Sequence, residues 1–196
     1  MDQTSTLVIV VIAALALVGV AIFLTRRRRE HLQRRFGPEY DRAVAELGQV
    51  GKAEAELVRR EKRVAKFTTR RLDHDERRLF TGRWRTIQTQ FVDRPQAAVA
   101  EADQLVAEVL RARGYPAGDV EQRQADLSVE YPHVVQDYRD ACAIASRSHG
   151  GQASTDDLRR ALVSYRSLFT ALVGAGEPAP AVEPQPAHEP EPAQRR

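Results

Sequence analysis

The stretch STDDLRRALVSYRSLFTALVG, residues 154–174, places apolar side chains at Leu158, Ala161, Leu162, Tyr165, Leu168, Phe169 and Leu172. Steps of three and four residues return to one face of a helix at 3.6 residues per turn, so this run predicts an amphipathic helix. Its ends are punctuated in the same sense. Ser154 or Thr155 can accept from the first free N–H groups, Asp156 and Asp157 lie at the positive end of the dipole, and Gly174 marks a stop.

The same periodicity recurs upstream. Phe80, Trp84, Ile87 and Phe91 form one stripe; Val99, Ala102, Leu105, Val109 and Leu110 form a second, after the helix-start pair Asp93 and Pro95. Val134, Tyr138, Ala141, Cys142 and Ala145 form a third. Four amphipathic helices are enough to bury one another's apolar faces, and no stretch reads as strand, so the sequence predicts an all-α bundle over 75–174. The connection from Gly114 to Pro132 is long for a structureless loop, and a short helix is expected near Asp119 to Leu127.

The segment from Gly37 to Leu72 is harder to read. Pro38 suits a first helical position, and Tyr40, Val44, Leu47, Val50, Leu57, Val58, Val64 and Phe67 follow. A heptad through Leu47, Val50, Leu57 and Val64 would carry Glu54 and Glu61 on its seam, which argues against a regular coiled coil. A long charged helix is expected over 37–72, either packed loosely on the bundle or standing as a spacer. Beyond Ala175, prolines at 178, 180, 184, 186, 190 and 192 predict an extended, solvated tail over 177–196.

At the other end lies the uncharged run Leu7 to Leu24, LVIVVIAALALVGVAIFL, followed by Arg26, Arg27, Arg28 and Arg29. At ~1.5 Å per residue it approaches the ~30 Å hydrocarbon core of a bilayer, so 7–24 is expected to be an uncleaved transmembrane helix. A cleaved signal peptide fits worse, because no positive charge but the α-amino group precedes the run and arginines follow it where a cleavage site belongs. The asymmetry of Lys and Arg orients a short exterior segment, 1–6, outward and a single-pass chain with its C-terminal domain in the cytoplasm. Within the basic juxtamembrane segment 25–36, Arg26, Arg27, Arg28, Arg29, Arg34 and Arg35 are the expected contacts to anionic lipids of the inner leaflet.

The overall formal charge of +3 conceals a gradient: residues 26–94 hold 20 Lys and Arg against 11 Asp and Glu, whereas residues 95–196 hold 10 against 15. Such a gradient suits an anionic membrane surface or a nucleic acid. The single cysteine, Cys142, excludes an internal disulfide and fits a reducing compartment.

Chemical motifs are sparse. GxGxxG, GxxxxGK[ST], a nucleophile elbow and a histidine pair at metal-ligand spacing are all missing from the sequence, so neither a cofactor nor a metal is expected. Asp73-His74-Asp75-Glu76 reads as a solvated helix start, since four consecutive helical residues point four ways. His133 and Asp137 share a face at i, i+4 and are the best candidates for general-base chemistry, with a surface pair the plainer reading. Cys142 falls on an apolar stripe and reads as a small buried hydrophobe. Between Lys52 and Arg85, twelve basic residues outnumber six acids, with Phe67 and Trp84 among them. Basic surfaces interleaved with aromatics bind single strands, although Trp84 lies on a core stripe.

The strings FGPEYDRAV (36–44), WRTIQTQFVDRPQAAVAEADQLV (84–106), RGYP (113–116), ADLSVEYP (125–132) and STDDLRRALVSYRSLF (154–169) together resemble a group of actinobacterial membrane-anchored helical proteins of unknown function, often labelled secreted or hypothetical proteins. The resemblance implies an N-terminal hydrophobic segment and a helical domain, and it implies no catalytic residue. The charge asymmetry opposes the secreted label. Strong core patterning without a convergent polar set favours a non-enzymatic chain, a protein-interaction or scaffolding module at the cytoplasmic face of the membrane. The alternatives are a membrane-tethered nucleic-acid binder using the basic 52–85 segment and an enzyme with a site near His133 and Asp137.

Overall fold

In the computed structural model, residues 3–174 are described, with side-chain surroundings at Ile12 and from Leu15 onward. Eight helices and no strand occur among the described residues: α1 (Gln3–Phe36), α2 (Pro38–Leu47), α3 (Val50–Val64), α4 (His74–Gln90), α5 (Pro95–Ala112), α6 (Val120–Glu130), α7 (Val135–His149) and α8 (Thr155–Gly174). The chain is all-α.

α8 begins as its sequence dictates. Ser154 Oγ accepts from the Asp157 N–H at 3.1 Å, and the Asp157 carboxylate accepts from the Ser154 N–H at 3.1 Å, so two otherwise orphaned donors are satisfied reciprocally. Its stripe packs on α7 and α5, and α4 closes over α5. Leu158, Tyr165, Leu168, Phe169 and Leu172 are buried in one cluster with Phe80, Trp84, Ile87, Leu105, Val109 and Tyr138. Within it the Trp84 and Phe169 rings stack with centroids 4.9 Å apart, and Tyr138 meets Tyr165 edge-on at 6.0 Å. The helix expected near Asp119 is α6, with Asp119 as its cap: the side chain accepts from the Gln122 N–H at 2.7 Å.

The charged segment 37–72 is a helical hairpin instead of one long helix. Gly48, at φ 67°, closes α2 with an N–H bonded to the Val44 carbonyl, and α3 restarts at Val50. Only a residue without Cβ takes that left-handed conformation cheaply, and the break lets α3 fold back on α2. The hairpin is packed and is no spacer. Tyr40, Ala43, Ala53, Leu57 and Val64 form a second buried cluster with Leu32 and Phe36 from the end of α1 and Val129 from α6.

Polar contacts hold this smaller cluster to the bundle. Glu39 on α2, 2% exposed, receives both Nη1 and Nη2 of Arg139 on α7. Arg63 Nε donates to Asp126 Oδ1 at 3.0 Å, and Arg60 Nη1 reaches Ser128 Oγ at 3.4 Å. Between the clusters, Arg113 is buried; its Nη1 donates to the Leu172 carbonyl at 3.3 Å and to the Tyr131 hydroxyl, while its own carbonyl accepts from the Arg70 N–H. Gly114, at φ 90°, makes this crossing possible, since a Cβ there would fall 2.3 Å from the Thr68 carbonyl oxygen.

The N-terminal expectation requires correction. Among the described residues no helix is long and apolar enough to cross a membrane. That finding overturns the transmembrane helix expected at 7–24, and with it the single-pass cell-membrane localisation with a cytoplasmic C-terminal domain. The apolar run with described surroundings, Leu15 to Leu24, covers about 15 Å at ~1.5 Å per residue, roughly half of a hydrocarbon core. Side chains 7–11, 13 and 14 lie outside the described set, as do residues 1–2 and the Pro-rich tail 177–196.

Candidate functional site

The residues that the sequence offers as chemical do not converge. His133 precedes α7, whose first residue is Val135, so the helical i, i+4 relation to Asp137 does not hold; both side chains are exposed and share no hydrogen bond or ion pair. Asp73 and Glu76 form a capping box at the start of α4, where Glu76 also receives both Nη atoms of Arg70. The Arg70 guanidinium and the Asp73 N–H hold the Glu76 carboxyl down to about 2. No group of three His, Cys, Asp or Glu suited to a metal ion occurs among the described residues.

Cys142 is a core residue. Burial, and secondarily the charge of Asp103, pushes its thiol above the ordinary range, which keeps it protonated and poorly nucleophilic. Its Sγ lies 3.8 Å from the Tyr165 hydroxyl, which also donates to Asp103 Oδ1 at 3.2 Å.

The basic segment 52–85 divides into two parts. On α3 the arginines are committed: Arg59 and Arg60 pair with Glu56, and Arg63 with Asp126, while Lys52 and Lys62 make no ion pair among the described residues. Glu61, also on α3, receives Arg35 from α1 at 3.1 Å. Of the other arginines expected at a lipid surface, Arg34 lies 3.8 Å from Glu30, and Arg27 stands over the Phe23 ring at 5.6 Å.

On α4 the outcome is different. Arg83 is drawn across to Glu108 of α5, but Arg77, Arg78 and Arg85 make no ion pair among the described residues. Together with His74 and Thr81 they fall at i, i+3, i+4, i+7 and i+11, one face of the helix; Phe80, Trp84 and Ile87 occupy the adjoining, buried face, about 110° round the helix. The cationic face lines a groove of about 390 Å³ whose far wall is Val173 and Gly174, the last described residues of α8. Gly82 also lines it, and a Cβ built at Gly82 would meet nothing within 4 Å. Glycine inside a helix costs ~1 kcal/mol relative to alanine, so the open backbone here is a cost that internal packing does not explain.

A larger groove of about 570 Å³ between α7 and α8 also contains arginines, but Arg159 is paired with Asp156 and Arg160 with Asp157, which leaves Arg147 as its one arginine without an ion pair among the described residues, in a groove that Asp140 also lines. Charge already neutralised within a helix offers a ligand less than charge left open. The α4 groove is therefore the candidate site. The signal for it is present in the sequence: the cations of α4 obey the same helical spacing as its apolar stripe, rotated about a third of a turn from it.

No family model matches the chain, and no match is found among curated proteins or solved structures.

Proposed function

We propose that this chain is a protein-interaction or scaffolding module that receives an acidic segment of a protein partner in the α4 groove. The observation that carries the reading is the open cationic face of Arg77, Arg78 and Arg85, set on a helix whose adjoining face is locked into the core. A rigid helix presents its guanidiniums without further ordering of the backbone, and arginine binds carboxylates through two parallel hydrogen bonds. A site of this kind needs no nucleophile and no convergent acid–base pair.

A nucleic-acid partner would use the same charges. The surface gives it less: the arginines of α3 are spent on Glu56 and Asp126, which leaves that helix only Lys52 and Lys62, and Trp84 is stacked on Phe169 in the core and cannot stack on a base. The two readings separate in one titration. The full chain is added to a fluorescent twenty-residue poly-glutamate peptide and, separately, to a twenty-nucleotide single strand. The interaction reading expects saturable peptide binding that weakens at least tenfold in Arg78→Glu/Arg85→Glu. Tighter binding to the strand than to the peptide, falling steeply with added salt, would transfer the site to nucleic acid.

A further inference from the structure

The wall of the α4 groove is formed by the last two described residues of the chain. Val173 and Gly174 close α8 and line the groove beside Arg77, Arg78 and Arg85, and twenty-two residues follow Gly174. That sequence, AGEPAPAVEPQPAHEPEPAQRR, carries Glu177, Glu183, Glu189 and Glu191 and contains no Lys or Arg before Arg195. It is acidic over the reach of the groove, and it begins at the groove's edge.

Resting on the reading of this groove as a receptor for acidic segments, we propose that its resident occupant is the chain's own C-terminal segment, residues 177–193, which competes in cis with the acidic segment of a partner. The dimensions agree. From His74 to Arg85 the cationic face extends ~16 Å at ~1.5 Å per residue, and an extended polyproline chain at ~3.1 Å per residue covers that distance in about six residues. Glu177 follows Gly174 by three residues, a span of ~9 Å for an extended chain, so it is the first acid of the segment that the groove would meet.

Composition favours the same occupant. Six prolines prevent the segment from continuing α8 and reduce the entropy lost when it lies extended against another surface. The bare backbone at Gly82 leaves room for a second backbone to approach. Tethering raises the local concentration to about the millimolar range, so even a weak carboxylate–guanidinium contact is populated in cis. A free acidic peptide must displace the segment and therefore binds with reduced apparent affinity.

The test uses the full chain and a fluorescein-labelled peptide of residues 175–192. Its affinity is measured for the wild type and for the full-length variant Glu177→Gln/Glu183→Gln/Glu189→Gln/Glu191→Gln, with poly-glutamate as a second probe. Competition in cis expects the glutamine variant to bind both probes at least fivefold more tightly than the wild type, and expects Arg85→Glu to cancel the gain. Equal affinities in wild type and glutamine variant, with poly-glutamate binding intact, would overturn the cis occupant and leave the receptor reading standing. Failure of both proteins to bind poly-glutamate would overturn the receptor reading and the cis occupant with it.

Discussion

The distal bundle, α4 to α8, and the proximal hairpin, α2 and α3 with the end of α1, are both helical and both buried, yet they are held by different forces. The bundle is closed by large apolar side chains, with Trp84 stacked on Phe169 and Tyr138 set against Tyr165. The hairpin buries a smaller cluster and is fastened to α6 and α7 by Glu39–Arg139 and Arg63–Asp126. Burial of apolar area is favourable in any orientation, whereas a buried ion pair stabilises only while both partners are in place. The bundle therefore supplies stability, and the hairpin's position depends on a few specific contacts.

The largest expected difference comes from cutting into the bundle. Phe169→Ala should cost ~3–5 kcal/mol through lost transfer energy and the cavity beside Trp84, measured by urea unfolding; Arg166→Ala, off the stripe, should stay within ~0.5 kcal/mol. Equal losses would mean that α8 does not close the core. In the hairpin, Glu39→Ala leaves the Arg139 guanidinium buried without its carboxylate and should cost about 3 kcal/mol. The double variant Glu39→Met/Arg139→Leu should recover most of that loss, since no charge is then left stranded. If the double variant is as unstable as the single, the pair itself holds the hairpin and the comparison sharpens in favour of ionic fastening.

A smaller change of opposite sign is expected at the candidate site. Gly82→Ala should raise stability by ~0.5–1 kcal/mol, because the backbone is helical and the added methyl meets nothing. The same methyl should weaken peptide binding by narrowing the groove. A gain in stability with unchanged binding would remove Gly82 from the site.

The finest distinction is in pH. Glu76, held down to about 2, contributes stability that is complete above its ordinary value of 4.5 and is lost as the pH falls from there towards 2. Asp126 in the proximal interface behaves oppositely: burial outweighs Arg63 and raises its carboxyl, so protonation in acid relieves a cost. Urea midpoints between pH 6 and pH 3 should show a flatter acid limb for Glu76→Gln than for wild type, and a steeper one for Asp126→Asn. Parallel profiles for all three proteins would show that neither carboxyl acts as described.

The same contrast separates what could be read in the sequence from what could not. Leu158 to Leu172 and Phe80 to Ile87 announce their helices because apolar periodicity is a local property, and Asp119 announces the start of α6 for the same reason. Glu39 and Arg139 stand one hundred residues apart, and nothing local marks them as partners. The apolar spacing over 37–72 suggests one long charged helix, loosely packed or a spacer, because Glu54 and Glu61 break the heptad seam and nothing local shows which charges find partners on other helices. The hairpin turn could have been read from Gly48 and Gly51, whereas the pairing of Arg63 with Asp126 required the fold. His133 and Asp137 misled because helical spacing was assumed across a helix start that lies between them.

The most direct test compares one open cation of the bundle with one committed cation of the hairpin. Affinity for the poly-glutamate peptide is measured for Arg85→Glu on α4 and for Arg59→Glu on α3, where Arg59 is already paired with Glu56. Both side chains are exposed, so neither substitution should disturb folding, and circular dichroism melts provide the check. An interface on α4 predicts at least a fivefold loss for Arg85→Glu and less than a twofold change for Arg59→Glu. Equal losses at the two positions would show that the peptide responds to overall charge alone, and would contradict a built site on α4.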